Sequence, residues 1–160
     1  MTIITVVTVV LWFLGMSGCG YSTGSLLRRD IHSVYVGVFD NTTWRRELEV
    51  DLTRQLTEEL RLRTPLDIKS REEADSTLQG TLVGFDQEAV TQTEDDDILM
   101  RRITVKVKFR WIDNLTGQDL VPPQTFTERN TFAIARNEPL ADRIFRETAE
   151  TIVERMERRW

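Results

Sequence analysis

The sequence predicts a two-layer α+β sandwich, in which two amphipathic helices pack on one face of a four- to five-stranded, mostly antiparallel sheet. Three observations carry that expectation. Leu48, Leu52, Leu56 and Leu60 recur every four residues with charges between them, the mark of a half-buried helix. Ile103, Val105, Val107, Phe109 and Trp111 alternate with Arg102, Thr104, Lys106, Lys108 and Arg110, which is the two-residue period of a strand with one covered face. A second helical stripe near the C-terminus runs through Leu140, Ala141, Ile144, Phe145, Thr148, Ile152, Val153, Met156 and Trp160.

The elements follow in order. Residues 1–18 hold no charged side chain, and their apolar stretch, Ile3 to Leu14, is twelve residues long. A helix that spans a bilayer needs about 20, so this stretch is expected to be a signal peptide. It lacks the usual basic residue before the apolar run. Residues 19–30 are a short polar tether, and a single domain is expected over 31–160. Val34 to Phe39 is rich in β-branched and aromatic residues and predicts a strand. Asp40-Asn41-Thr42-Thr43 stops it and offers capping oxygens to a helix expected over Trp44 to Arg63. Thr64-Pro65 ends that helix, and Leu66 to Lys69 predicts a short strand.

Thr77 to Ala89 predicts a longer strand, with Leu78, Gly80, Leu82 and Gly84 on one face, where the glycines would let a helix approach closely. A polar tip over Gln92 to Asp97 leads into the strand Met100 to Ile112. Asp113 to Gly117 is a turn. Pro122-Pro123 cannot donate ladder hydrogen bonds, so pairing is expected to resume after them in a strand over Gln124 to Ile134. Pro139 opens the final helix.

Composition narrows the function classes. The 160 residues carry 21 basic and 26 acidic side chains, a net charge of -5, against the basic excess of a general nucleic-acid binder. One cysteine and one histidine, His32, leave little for a disulfide framework, a Cys-rich zinc site or a charge-relay triad. There is no glycine-rich phosphate loop and no Gly-x-Ser-x-Gly. Glu94 and Asp95 to Asp97 lack the spaced acidic pattern of a calcium loop; a solvated hairpin tip that discourages edge pairing is the better reading. The expectation is therefore a protein that is not an enzyme and holds no metal or dissociable cofactor.

Leu14-Gly15-Met16-Ser17-Gly18-Cys19-Gly20 resembles the lipobox of bacterial lipoproteins, with Met16 in place of the usual leucine. The resemblance implies cleavage before Cys19, a diacylglyceryl group on its sulfur and an acyl chain on its new amino group. Several acyl chains anchor stably, since each buried CH₂ adds about 0.8 kcal/mol. Gly20 stands where an aspartate would favour the inner membrane, so the outer membrane is implied.

The mature chain resembles the LPS-assembly lipoprotein (LptE) family. The likeness lies in Cys19-Gly20-Tyr21, in Val34 to Thr43, in Glu73 to Gly80 leading into the long strand, in the Asp113 to Gly117 turn and in the final helix. The acidic tip and the doubled proline depart from the family pattern. Members of that family sit in the lumen of the outer-membrane LPS-export β-barrel (LptD), assist its assembly and contact lipopolysaccharide. The resemblance thus implies the barrel, lipopolysaccharide and, through the lipid, the membrane as partners, and no nucleic acid.

The basic row is the candidate ligand site. Arg102, Lys106, Lys108 and Arg110 project from one strand face in steps of about 6.6 Å or multiples of it, and arginine matches phosphate oxygens such as those of lipid A bidentately. A plainly solvated face is the alternative, as is a face turned to acidic groups of the barrel. Two other functions stay open: a lipoprotein of another envelope assembly, such as a cell-wall synthase activator or secretion-complex subunit, and a small-ligand carrier, which would need a large apolar cavity.

Overall fold

The computed structural model describes residues 31–92, 98–133 and 140–158. Its elements are β1 (Ser33–Val36), β2 (Asp40–Asn41), α1 (Leu48–Arg63), β3 (Asp67–Ile68), β4 (Ser76–Gln92), β5 (Ile98–Asp113), β6 (Asp119–Ala133) and α2 (Leu140–Glu157). The expected signal peptide, the tether with Cys19, the acidic tip at 94–97 and Pro139 lie outside the described residues.

The sheet order is β3-β1-β4-β5-β6, with β2 also pairing β4. The long strands β4, β5 and β6 are antiparallel neighbours. The short strands are not: β1 runs parallel to both β3 and β4, and β2 parallel to β4. The sheet is therefore mixed. The reason is the connection, because a strand that leaves through a helix of 16 residues returns to the end where it began and pairs in parallel.

Both helices cover one face. Leu52, Leu56 and Leu60 of α1, and Ile144, Phe145, Ala149, Ile152 and Val153 of α2, are fully buried. So are Ile103, Val105, Val107, Phe109 and Trp111 of β5, the alternating set expected to face inward. Arg54 meets Asp142 at 3.3 Å and Arg63 meets Glu150 at 3.2 Å. Residues later in α1 thus meet residues later in α2, so the two helices run side by side in the same direction. Across the α2–β6 seam, the guanidinium groups of Arg143 and Arg155 lie over the rings of Phe132 and Phe126, each 4.6 Å from the centroid, a favourable cation–π arrangement.

Four local expectations are corrected. The first helix begins at Leu48, not Trp44. Asn41 is strand rather than cap, and it organises the turn from outside. Its Oδ1 accepts from the N–H and hydroxyl of Thr43, and its Nδ2 donates to the Arg45 carbonyl and the Glu49 carboxylate. The turn closes on Glu47 at φ 72°, a left-handed conformation rarely adopted outside glycine.

The second correction concerns the prolines. β6 runs through Pro122-Pro123, because Val121 pairs with Trp111 and Gln124 with Phe109. Two residues there oppose one, and this bulge on an edge strand accommodates the missing donors.

The third concerns the glycines of β4. Leu82 pairs with Val107 and Gly84 with Lys106, so Val83 is the extra residue of a bulge. Gly84 thereby turns to the outer face with Lys106, and Phe85 takes the buried position. What approaches Gly80 is the ring of Phe39, not a helix.

Finally, β4 and β5 extend beyond the expected ends, to Ser76–Gln92 and Ile98–Asp113.

Candidate functional site

The face of the sheet opposite the helices is polar. β5 contributes Arg102, Thr104, Lys106, Lys108 and Arg110 to it. Their cross-strand partners are Glu88, Asp86, Gly84, Thr81 and Gln79 on β4, and Thr131, Arg129, Thr127 and Thr125 on β6. The candidate row is thus brought onto one surface, flanked by hydroxyls.

Its members are held differently. Arg102 reaches the Glu88 carboxylate at 3.5 Å. Arg110 lies 3.9 Å from Asp119. With its amide oxygen turned to that guanidinium, Gln79 accepts from Nε and Nη2 of Arg110 at 2.5 and 2.7 Å. Lys106 and Lys108 are exposed, and the ion pairs among the described residues leave both without a carboxylate partner. An unpaired ammonium over a hydroxyl-lined sheet can meet an anion without first giving up an ion pair.

At one end this face deepens into a recess of about 620 Å³. Lys108 and Arg110 line it with Tyr35 of β1, Arg71, and the outward side chains Thr77, Gln79 and Thr81 of β4. The recess exists because the β1–β2 run breaks. Val36 pairs with Leu78 and Asp40 with Thr81, so one run has a residue more than the other. Phe39 swings inward to full burial, and its N–H donates to Thr53 Oγ1 of α1 at 3.1 Å. Gly37, which lines the recess at the break, has no side chain to fill it. Sequence patterning did not single out Tyr35 or Arg71. The alternation of Tyr35 with the inward Val34 and Val36 was a usable signal; Arg71 comes from a turn whose placement no periodicity encodes.

The other candidates sit apart. His32 is exposed, and its backbone N–H donates to Asp75 at 3.2 Å, a structural contact at the start of β1. Cys19 and the acidic tip lie outside the described residues. Among the described residues no three His, Cys, Asp or Glu side chains come together as metal donors, and no helix is long and apolar enough to cross a membrane.

Fold and face together define a class, an α+β two-layer domain with helices on one side and an open basic sheet on the other. The chain belongs to the LptE family, described as lipopolysaccharide-assembly, whose model matches residues 31–156. In general terms it is thus an LPS-assembly lipoprotein. No curated protein matches the sequence. Among solved structures, a protein from Xanthomonas campestris is similar at TM-score 0.55 and 10% identity, over 76% of this chain and 81% of that one. A hypothetical protein from Chlamydia trachomatis gives 0.54 at 12% identity, over 79% and 98%. The PelC dodecamer from Paraburkholderia phytofirmans gives 0.53 at 16% identity, over 79% and 86%. At such identities these likenesses concern the fold.

Proposed function

We propose that this chain is lipid-anchored through Cys19 on the periplasmic side of the outer membrane. Its 31–160 domain plugs and assists assembly of the LPS-export barrel LptD and contacts lipopolysaccharide in transit. It works by binding, with no catalytic residue and no cofactor beyond the diacylglyceryl and N-acyl chains on Cys19. Membership of the LptE family supports the partner class. The observation that carries the ligand reading is the pair Lys106 and Lys108, exposed and unpaired on an open sheet face. The apolar stripes of both helices are consumed by the core, and the opposite sheet face is open to a partner or ligand.

The test is co-purification from detergent-solubilised membranes. The lipidated chain should bring down an outer-membrane β-barrel together with lipopolysaccharide. Recovery of a penicillin-binding protein in place of the barrel would move the assignment to another envelope assembly. In parallel, Cys19→Ser should leave the protein unprocessed or soluble; unchanged membrane fractionation and acyl labelling would overturn the anchor.

A further inference from the structure

We propose that the recess between β1, β4 and β5 is a binding site for a phosphorylated sugar, so that the basic row has a shaped end and a flat end. The inference rests on the lipopolysaccharide reading above and deepens it.

Shape comes first. The volume of about 620 Å³ lies within the roughly 300–1,000 Å³ of small-molecule sites. It is created by backbone, through the extra residue between Val36 and Asp40 and the inward turn of Phe39. The long side chains of Tyr35, Arg71, Lys108 and Arg110 wall it.

The lining selects the ligand. Three cations, Arg71, Lys108 and Arg110, line the recess with one carboxylate, Asp40, and Arg110 also lies 3.9 Å from Asp119 at its edge. Arg71, like Lys108, has no carboxylate partner among the described residues. Gln79 holds the Arg110 guanidinium by two of its nitrogens, which orients it before any ligand arrives. These groups suit an anion with several oxygens. Tyr35 supplies the second requirement. Its ring edge lies 3.7 Å from where a Cβ on Gly37 would be, so it flanks a surface free of side chains. An aromatic ring offers a flat apolar body with a polar tip, which fits the C–H face of a pyranose with its hydroxyls outward. Thr81 completes the rim, while the Thr77 hydroxyl is already spent on Asn114 Oδ1 at 2.7 Å. A bare phosphate has no use for the ring, and an apolar ligand has none for three cations.

The test is isothermal titration of the full-length lipidated protein in detergent, at low salt. The probes are glucosamine 1-phosphate, inorganic phosphate and glucosamine. Glucosamine 1-phosphate should bind at least tenfold tighter than either of the others. Tyr35→Ala should lose that advantage and Tyr35→Phe should keep it, which separates loss of the ring from general damage to the fold. Arg71→Gln with Lys108→Gln should weaken glucosamine 1-phosphate and phosphate alike. Equal binding of sugar phosphate and phosphate, untouched by Tyr35→Ala, would overturn the site. A lipopolysaccharide arm separates this from the wider reading. If Lys106→Glu weakens lipopolysaccharide binding while the Tyr35 and Arg71 variants do not, the recess is refuted and the face is retained. If wild type binds no lipopolysaccharide, the wider reading fails.

Discussion

The ring of Phe39 occupies the space that a side chain on Gly80 would need. A Cβ built there would lie 2.8 Å from the ring Cζ and 2.6 Å from the Lys108 carbonyl oxygen. Gly80→Ala should therefore destabilise by about 1–3 kcal/mol, the usual cost of overpacking. Phe39→Ala, at a position 1% exposed, should cost about 3–5 kcal/mol. Because the two share one space, the double variant should cost less than the sum. Denaturant midpoints of the four proteins check it, and strict additivity would show that the contact is not shared.

The helix stripes make a second prediction. Leu56 and Ile144 are both 0% exposed, so each truncation to alanine should cost about 2–5 kcal/mol. Leu62 is on the same helix as Leu56 but 79% exposed, and Leu62→Ala should stay within about 0.5 kcal/mol. Unfolding curves that rank Leu62 with Leu56 would contradict the helix orientation.

Arg63 joins the helices, bonding Glu59 at 2.8 Å and Glu150 at 3.2 Å. The Glu59 side chain is 8% exposed and that of Glu150 37%. Arg63→Ala should cost about 1–3 kcal/mol, because it leaves the buried Glu59 carboxylate unpaired. Glu150→Ala removes only a half-exposed pair and should cost under about 1 kcal/mol. Equal losses from the two would mean that Glu59 finds another partner.

The Glu49 carboxyl is held below its ordinary value of 4.5, first by its own backbone N–H at the start of α1 and then by the Asn41 amide. A depressed carboxylate stabilises the fold above the unfolded value and loses that contribution as pH falls through the lower folded value. The tie between β2 and α1 should thus hold at neutral pH and loosen only below about 4.5. In Asn41→Ala the Glu49 titration, followed by carboxyl carbon NMR, should move up; an unchanged titration would remove Asn41 as a cause.

Lys106 and Lys108 can be changed without disturbing the core, since their neighbours Val105, Val107 and Phe109 point the other way. Charge reversal of both should weaken lipopolysaccharide binding while moving stability by about 0.5 kcal/mol or less at each site. Wild-type binding should fall with added salt, as exposed charges are screened beyond about 8–10 Å. Tight binding by the double variant at low salt would turn attention to the barrel, and a pull-down with the same variant decides that.

Periodicity made the burial pattern of β5, α1 and α2 legible, because each side chain's fate there depends on its own helix or strand alone. Leu48 to Leu60 and Ile103 to Trp111 needed no knowledge of the rest of the chain. Glycine and proline were harder. Gly80 is small on account of Phe39, 41 positions earlier, and Pro122-Pro123 fit within a ladder only because β6 is an edge strand with a bulge beside Trp111.

The sequence by itself determined the α+β class, the apolar faces and the alternation of basic with buried residues on β5, since local repeats in 3.6 and 2 encode which side of an element avoids water. Only the tertiary structure decided the parallel pairing of β1, β2 and β3, the turn of Gly84 away from the core, and the recess that joins Tyr35 and Arg71 to Lys108 and Arg110. The physical reason is register. One extra residue in a strand reverses every side chain beyond it, and whether a strand carries that residue depends on the neighbour it pairs with.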